Sequence, residues 1–117
     1  MKIALGLVEG RYNMPVDDYV LHSVEDVTDI QGIRKAVCAS LVDKLGTDIR
    51  VTEYGPSLNG IEEDAAHYEC STELHLYITG LTVVALEVVR FCAMNGIPLV
   101  AYHYNCESGS YYPQRII

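Results

Sequence analysis

Residues 74–95, LHLYITGLTVVALEVVRFCAMN, decide the fold. Leu74, Leu76 and Ile78 alternate with His75, Tyr77 and Thr79, the period-two pattern of a strand with one buried face. Gly80 breaks that run, and the mostly apolar residues 82–95 predict a helix, with Gly96 as its stop and Pro98 just beyond. Thr82 is the expected N-cap, since its hydroxyl can accept from a free amide of the first turn. Such a turn also presents unpaired amides and the positive end of the helix dipole, which suit a phosphate or carboxylate. The simpler reading is that Gly80 only turns the chain and Thr82 only caps the helix. Glu87, Arg90 and Asn95 are the polar breaks in this helix. A helix apolar nearly all round is buried between layers or between subunits. In a chain with few elements to cover it, a subunit interface is expected, and with it a homo-oligomer.

Toward the N-terminus, residues 2–8 read as a strand, followed by Glu9, Gly10 and Arg11. An arginine beside a glycine at a strand end can clamp an anion with two parallel hydrogen bonds, or can simply be an exposed loop residue. Residues 19–24 suggest a short second strand, and the acidic residues 25–29 carry several possible N-caps. Residues 31–45 predict the first helix, with Ile33, Val37, Leu41 and Leu45 on one face. Arg34, Lys35, Asp43 and Lys44 lie mostly off that stripe, and Gly46 ends it. Residues 49–54 alternate as a strand. Residues 55–66 are rich in turn formers and acids. Glu62, Glu63 and Asp64 invite an acid–base reading, but with no nucleophile nearby a solvated face is the simpler one.

Beyond the second helix, residues 97–104 form a strong strand pattern, and residues 111–117 a short one after a turn. The two fit a hairpin, with Pro113 pointing to a sheet edge. The fold expected is therefore α/β (α+β), a single domain over residues 1–117. Two helices pack on a mixed, mostly antiparallel sheet of five to six strands.

The net charge of −8 argues against binding a nucleic-acid polymer, which requires a cationic face. It leaves room for a small anionic ligand held by a few arginines and amides. No apolar run reaches the roughly eighteen residues of a membrane span, and no signal-peptide pattern opens the chain, so a soluble cytoplasmic protein is expected. Cys38, Cys70, Cys92 and Cys106 lack CxxC spacing, and His22, His67, His75 and His103 lack metal-ligand spacing, so neither a disulfide framework nor a metal site is expected.

The chain has no P-loop, GxSxG, HExxH or GxGxxG motif. What it offers are groups suited to binding. Thr79, Gly80 and Thr82 supply hydroxyls and amides, and Arg11, Arg90 and Arg115 supply fixed cations. Nine tyrosines supply flat faces that can stack on a base. For Tyr102, Tyr104, Tyr111 and Tyr112, cross-strand packing in the hairpin is an equally good reading.

Three segments, EGRYNMPV at 9–16, LYITGLTVVAL at 76–86 and AYHYNCESGSYYPQ at 101–114, resemble small phage and prophage proteins of the Thoeris anti-defence protein 1 family. The resemblance spans the chain, although residues 29–66 add little to it. It implies a non-enzymatic sponge that sequesters cyclic ADP-ribose isomers made by bacterial TIR proteins, or cyclic oligonucleotides. It also implies a higher oligomer, from a dimer up to a hexamer, with ligand held between subunits and no cofactor. The ligand-binding positions it implies are Arg11, Thr79, Gly80, Thr82, His103, Asn105, Tyr112 and Gln114. The rival readings are a small ring-nuclease-like or nucleotide-hydrolysing enzyme, with His103 or a carboxylate as acid–base, and a protein–protein inhibitor.

Overall fold

The computed structural model describes residues 2–10, 14–45, 49–54, 66–70 and 72–117, with residues 49–54 and 66–70 described by their backbone. Within these the strands are β1 (Lys2–Val8), β2 (Tyr19–Leu21), β3 (Ile49–Tyr54), β4 (Ala66–Cys70), β5 (Glu73–Tyr77), β6 (Leu99–Asn105) and β7 (Ser110–Arg115). The helices are α1 (Ile30–Leu45) and α2 (Thr82–Asn95). Arg11, Gly46 and residues 55–65, with Glu62, Glu63 and Asp64 among them, lie outside the described residues, as do the side chains of His67 and Cys70.

Five strands form one mixed sheet in the order β2-β1-β5-β6-β7, and β3 and β4 pair as a separate antiparallel hairpin. Two helices on a mixed sheet are as the sequence predicts. The balance of pairings is a correction. In the five-stranded sheet β1 runs parallel to β2 and to β5, β5 runs parallel to β6, and only β6 and β7 are antiparallel. The reason is in the connections. Residues 78–98 carry a whole helix between β5 and β6, which returns the chain to the starting edge and makes the pair parallel.

Both helix-bearing connections, from β2 over β1 to β5 and from β5 to β6, step across the sheet in the same direction. Right-handed crossovers then place both helices on one side. Their buried residues, Ile33, Val37, Leu41 and Leu45 of α1 and Val84, Val88, Phe91 and Cys92 of α2, form a single core with Leu5, Leu7, Leu74, Leu76 and Leu99. Leu5, Leu7, Leu74, Leu76 and Leu99 are fully buried. At about 25 cal/mol per Å² this one-sided layer is the main stabilising contribution of the fold.

α1 starts where Asp29 accepts the Gly32 amide at 3.0 Å, an aspartate N-cap. It is tied to β2 by the Ser40 hydroxyl donating to the Val20 carbonyl and to the preceding loop by Lys44 on Asp18 at 2.9 Å. Arg34 reaches from α1 to Glu87 of α2 with two hydrogen bonds, at 2.9 and 3.2 Å. α2 ends at Gly96, whose φ of 65° is the left-handed conformation that glycine takes without strain, and the Ile97 amide returns to the Cys92 carbonyl at 2.9 Å.

The apolar circumference of α2 has a cover within the chain: α1, the sheet and β4 lie against it. Leu86 stands out of this packing at 61% exposed. No helix among the described residues is long and apolar enough to cross a membrane.

Candidate functional site

The Tyr77–Tyr102 register between parallel β5 and β6 sets the geometry of the carboxyl edge of the sheet. The Ile78 amide donates to the Tyr102 carbonyl at 3.0 Å, so the strands continue in step past the end of β5. Ile78 is thus level with His103. Gly80, at a φ of 64°, turns the chain onto the helix side, where α2 begins. The carboxyl edge of a parallel sheet, beside a helix amino terminus, is the place where α/β folds usually hold ligands.

The N-cap expectation is corrected here. Leu81, not Thr82, occupies the cap position, and no side chain caps the helix. The Val84 and Ala85 amides turn back to the Leu81 carbonyl at 3.1 and 3.3 Å. Thr82 is instead the first helical residue, and its side chain is exposed. Thr79 is 8% exposed, and its hydroxyl oxygen is buried with no hydrogen-bond partner among the described residues.

On β6 the alternation from fully buried Leu99 and Ala101 carries His103 and Asn105 onto the helix side, beyond the last residues that the helices cover. In the hairpin with β7, Gln114 faces Ala101, Tyr112 faces His103, and Ser110 faces Asn105. His103 Nε2 is 2.8 Å from Gln114 Oε1, which fixes the imidazole as donor on that nitrogen. The rings of His103 and Tyr112 are 5.4 Å apart, and Tyr112 is 51% exposed. Asn105 serves the turn: its Oδ1 accepts the Glu107 amide at 2.9 Å.

The structure therefore places seven of the eight candidate residues in two groups along one edge. Thr79, Gly80 and Thr82 make the β5–α2 turn, and His103, Asn105, Tyr112 and Gln114 make the helix-side surface of the hairpin. No hydrogen bond or ring contact among the described residues joins the groups, so a ligand would have to bridge them. Arg11, the eighth, is outside the described residues.

The opposite face of the sheet joins Arg115, Tyr102 and Tyr111 to Glu73, His75 and Tyr77, for which the sequence reading proposed no role. His75 Nδ1 is 2.8 Å from the Tyr102 hydroxyl, and His75 Nε2 lies 3.7 Å from Glu73. Glu73 is paired with Arg115, whose hydrogen bond holds this carboxyl below its ordinary range, with nearby His75 and Lys2 adding to the effect. Arg115 also donates to the Ile117 carbonyl at 3.0 Å. Burial, reinforced by neighbouring tyrosines, pushes the Tyr77 and Tyr111 hydroxyls up from their ordinary pKa, so both stay protonated donors near neutral pH. The signal for this face was in the alternation itself, where each buried leucine of β5 is followed by His75 or Tyr77.

No three His, Cys, Asp or Glu side chains among the described residues converge as metal ligands. Protein-family models, curated proteins and solved structures contain no match to the chain.

Proposed function

We propose that this chain is a non-enzymatic binding protein of the phage anti-defence type, which sequesters a cyclic nucleotide signal in the bacterial cytoplasm. The observation that supports the reading is the uncapped amino terminus of α2, which follows the carboxyl end of β5, beside the half-buried His103 and exposed Tyr112 at the carboxyl end of the neighbouring parallel strand β6. Free amides at a helix start suit a phosphate, and an exposed tyrosine suits a base, so the edge offers complementary contacts to the two parts of a nucleotide. Amides and the helix dipole attract an anion without adding net positive charge, which suits a chain that carries −8 overall. The ligand class, and assembly as a homo-oligomer with ligand between subunits, come from the resemblance of the three segments to the Thoeris anti-defence proteins.

The test is incubation of the purified chain with cyclic ADP-ribose isomers and cyclic di- and trinucleotides. Filtration, heat release and mass spectrometry then identify what was held. Intact ligand in stoichiometric amount is the expected result, reduced about tenfold or more in affinity by His103→Ala with Tyr112→Ala. A cleaved product would replace this reading by a hydrolytic one, and no retained ligand would favour a protein inhibitor. Light scattering on the same sample is expected to give a mass above that of one chain.

A further inference from the structure

His75 lies in the middle of β5 on the side of the sheet away from the helices, with Ala4 of β1 and Val100 of β6 level with it. Its side chain is only 15% exposed. Nδ1 is 2.8 Å from the Tyr102 hydroxyl. Nε2 is buried, 3.7 Å from a Glu73 carboxylate oxygen, and has no hydrogen bond among the described residues. The Tyr102 ring is itself fixed, stacked on Tyr77 with centroids 4.5 Å apart and planes within 11°. Among the described residues, the charged and titratable groups around the imidazole come from four strands. They are Glu73 and Tyr77 of β5, Tyr102 of β6, Arg115 of β7 and Lys2 of β1. Beyond Ala4 on β1, Gly6 is covered by the Tyr19 ring and by Met14.

These neighbours assign the hydrogen of the neutral ring. A bare Nε2 would turn its lone pair toward the Glu73 carboxylate, which is unfavourable where little water reaches. Nε2 therefore carries the hydrogen, Nδ1 accepts, and the Tyr102 hydroxyl donates to it. At 3.7 Å the Nε2 hydrogen does not reach the carboxylate, so the neutral ring leaves this end unsatisfied. A proton added at Nδ1 changes both ends. The Tyr102 oxygen must then accept from the ring, and its own hydrogen turns away. At the other end the positive ring faces a carboxylate. The hydrogen bond from Arg115 holds the Glu73 carboxyl below its ordinary range, so that carboxylate is still charged where a histidine takes up its proton.

We propose that His75 is a proton switch for the open face of the sheet. Uptake of a proton from solvent at Nδ1 reverses the hydrogen bond with Tyr102 and releases the Tyr102 hydroxyl as a donor at that face. No other bond is made or broken. The face then donates one hydrogen bond more in weakly acidic solution than at neutral pH, and His75 acts in this way whatever the chain binds.

The full chain, with isotope-labelled histidine nitrogens and tyrosine ring carbons, is followed by NMR from about pH 8 to about pH 5, the range in which histidine changes charge. The His75 and Tyr102 signals are assigned from His75→Gln and Tyr102→Phe. At neutral pH a protonated Nε2 and a bare Nδ1 are expected for His75. Toward acid, Nδ1 gains its proton and the Tyr102 ring signals move with the same midpoint. That movement should vanish in His75→Gln. Glu73→Gln removes the charge that faces Nε2 and should lower the midpoint by about one pH unit. If His75→Gln does not fold, the tautomer and the Glu73→Gln shift decide, since both are measured with the imidazole in place. A bare Nε2 at neutral pH or no proton uptake by His75 in this range would overturn the proposal. So would a Tyr102 response that survives His75→Gln, or an unmoved midpoint in Glu73→Gln.

Discussion

Leu74 and Leu76 of β5 are fully buried beneath the two helices, whereas His75 and Tyr77, one position along the same strand, look onto a face that no helix among the described residues covers. The backbone hydrogen bonds are shared, so the two sets of side chains differ in what lies above them. On the helix side the residues are aliphatic and interdigitate. On the open side they are rings and polar tips that organise one another through His75–Tyr102, Tyr77–Tyr102 and Glu73–Arg115 contacts. Stability is concentrated on one face, and the groups able to meet a ligand are left on the other and along the carboxyl edge.

The sharpest way to break this contrast is to truncate neighbours on β5. Leu76→Ala leaves a cavity under both helices and should cost about 2–5 kcal/mol in denaturant unfolding. His75→Ala removes a half-buried ring with one hydrogen bond and should cost about 1 kcal/mol. Equal losses would mean that the open face is as tightly packed as the core. Next in size is Glu87→Ala, which takes the carboxylate from the two Arg34 hydrogen bonds between α1 and α2 and should cost about 2 kcal/mol. A null result there would show that the helix layer is held by apolar contact alone. Gly96→Ala forces a side chain into the left-handed C-cap of α2 and should cost about 1 kcal/mol.

The smallest effect, and the one with a pH signature, is at Asp18. Its hydrogen bond from Lys44, and then that from the Tyr19 amide, lower the carboxyl pKa below its ordinary 3.8. A depressed folded-state value stabilises the fold above the unfolded pKa and is lost as pH falls through the folded one. The carboxylate is about half exposed, so solvent screening limits the pair to no more than about 0.5 kcal/mol. Asp18→Asn should therefore lower stability slightly at pH 7, and the two proteins should converge as the pH falls through the lowered pKa of the folded state. A difference that persists there would assign the loss to something other than the ion pair.

Local elements were legible because periodicity and punctuation are local. The strand at 2–8, the helix ending at Leu45, and the helix from Thr82 to Asn95 with its stop at Gly96 all emerge at or near their observed bounds. Strand pairing was less legible, because β1 finds β5 across most of the chain and nothing in either strand records the partner's direction. The apolar all-round pattern of α2 was readable, but not its cover, since α1 and β4 arrive from distant sequence. The candidate residues at 79–82 and 103–114 were legible as motifs, whereas their alignment along one edge needed the parallel register of β5 and β6. The Leu81 cap was not legible, because threonine one residue later is the better capping type and the turn geometry overrode it.

Pro113 lies in the middle of β7, the outer strand on one side of the sheet, and β2 on the other side is only three residues long. A proline supplies no amide to an incoming strand, and three residues give it little to grip. Both borders are therefore poor templates for open-ended strand addition. Copies of this chain at high concentration have little to grip along these two edges in starting a fibre.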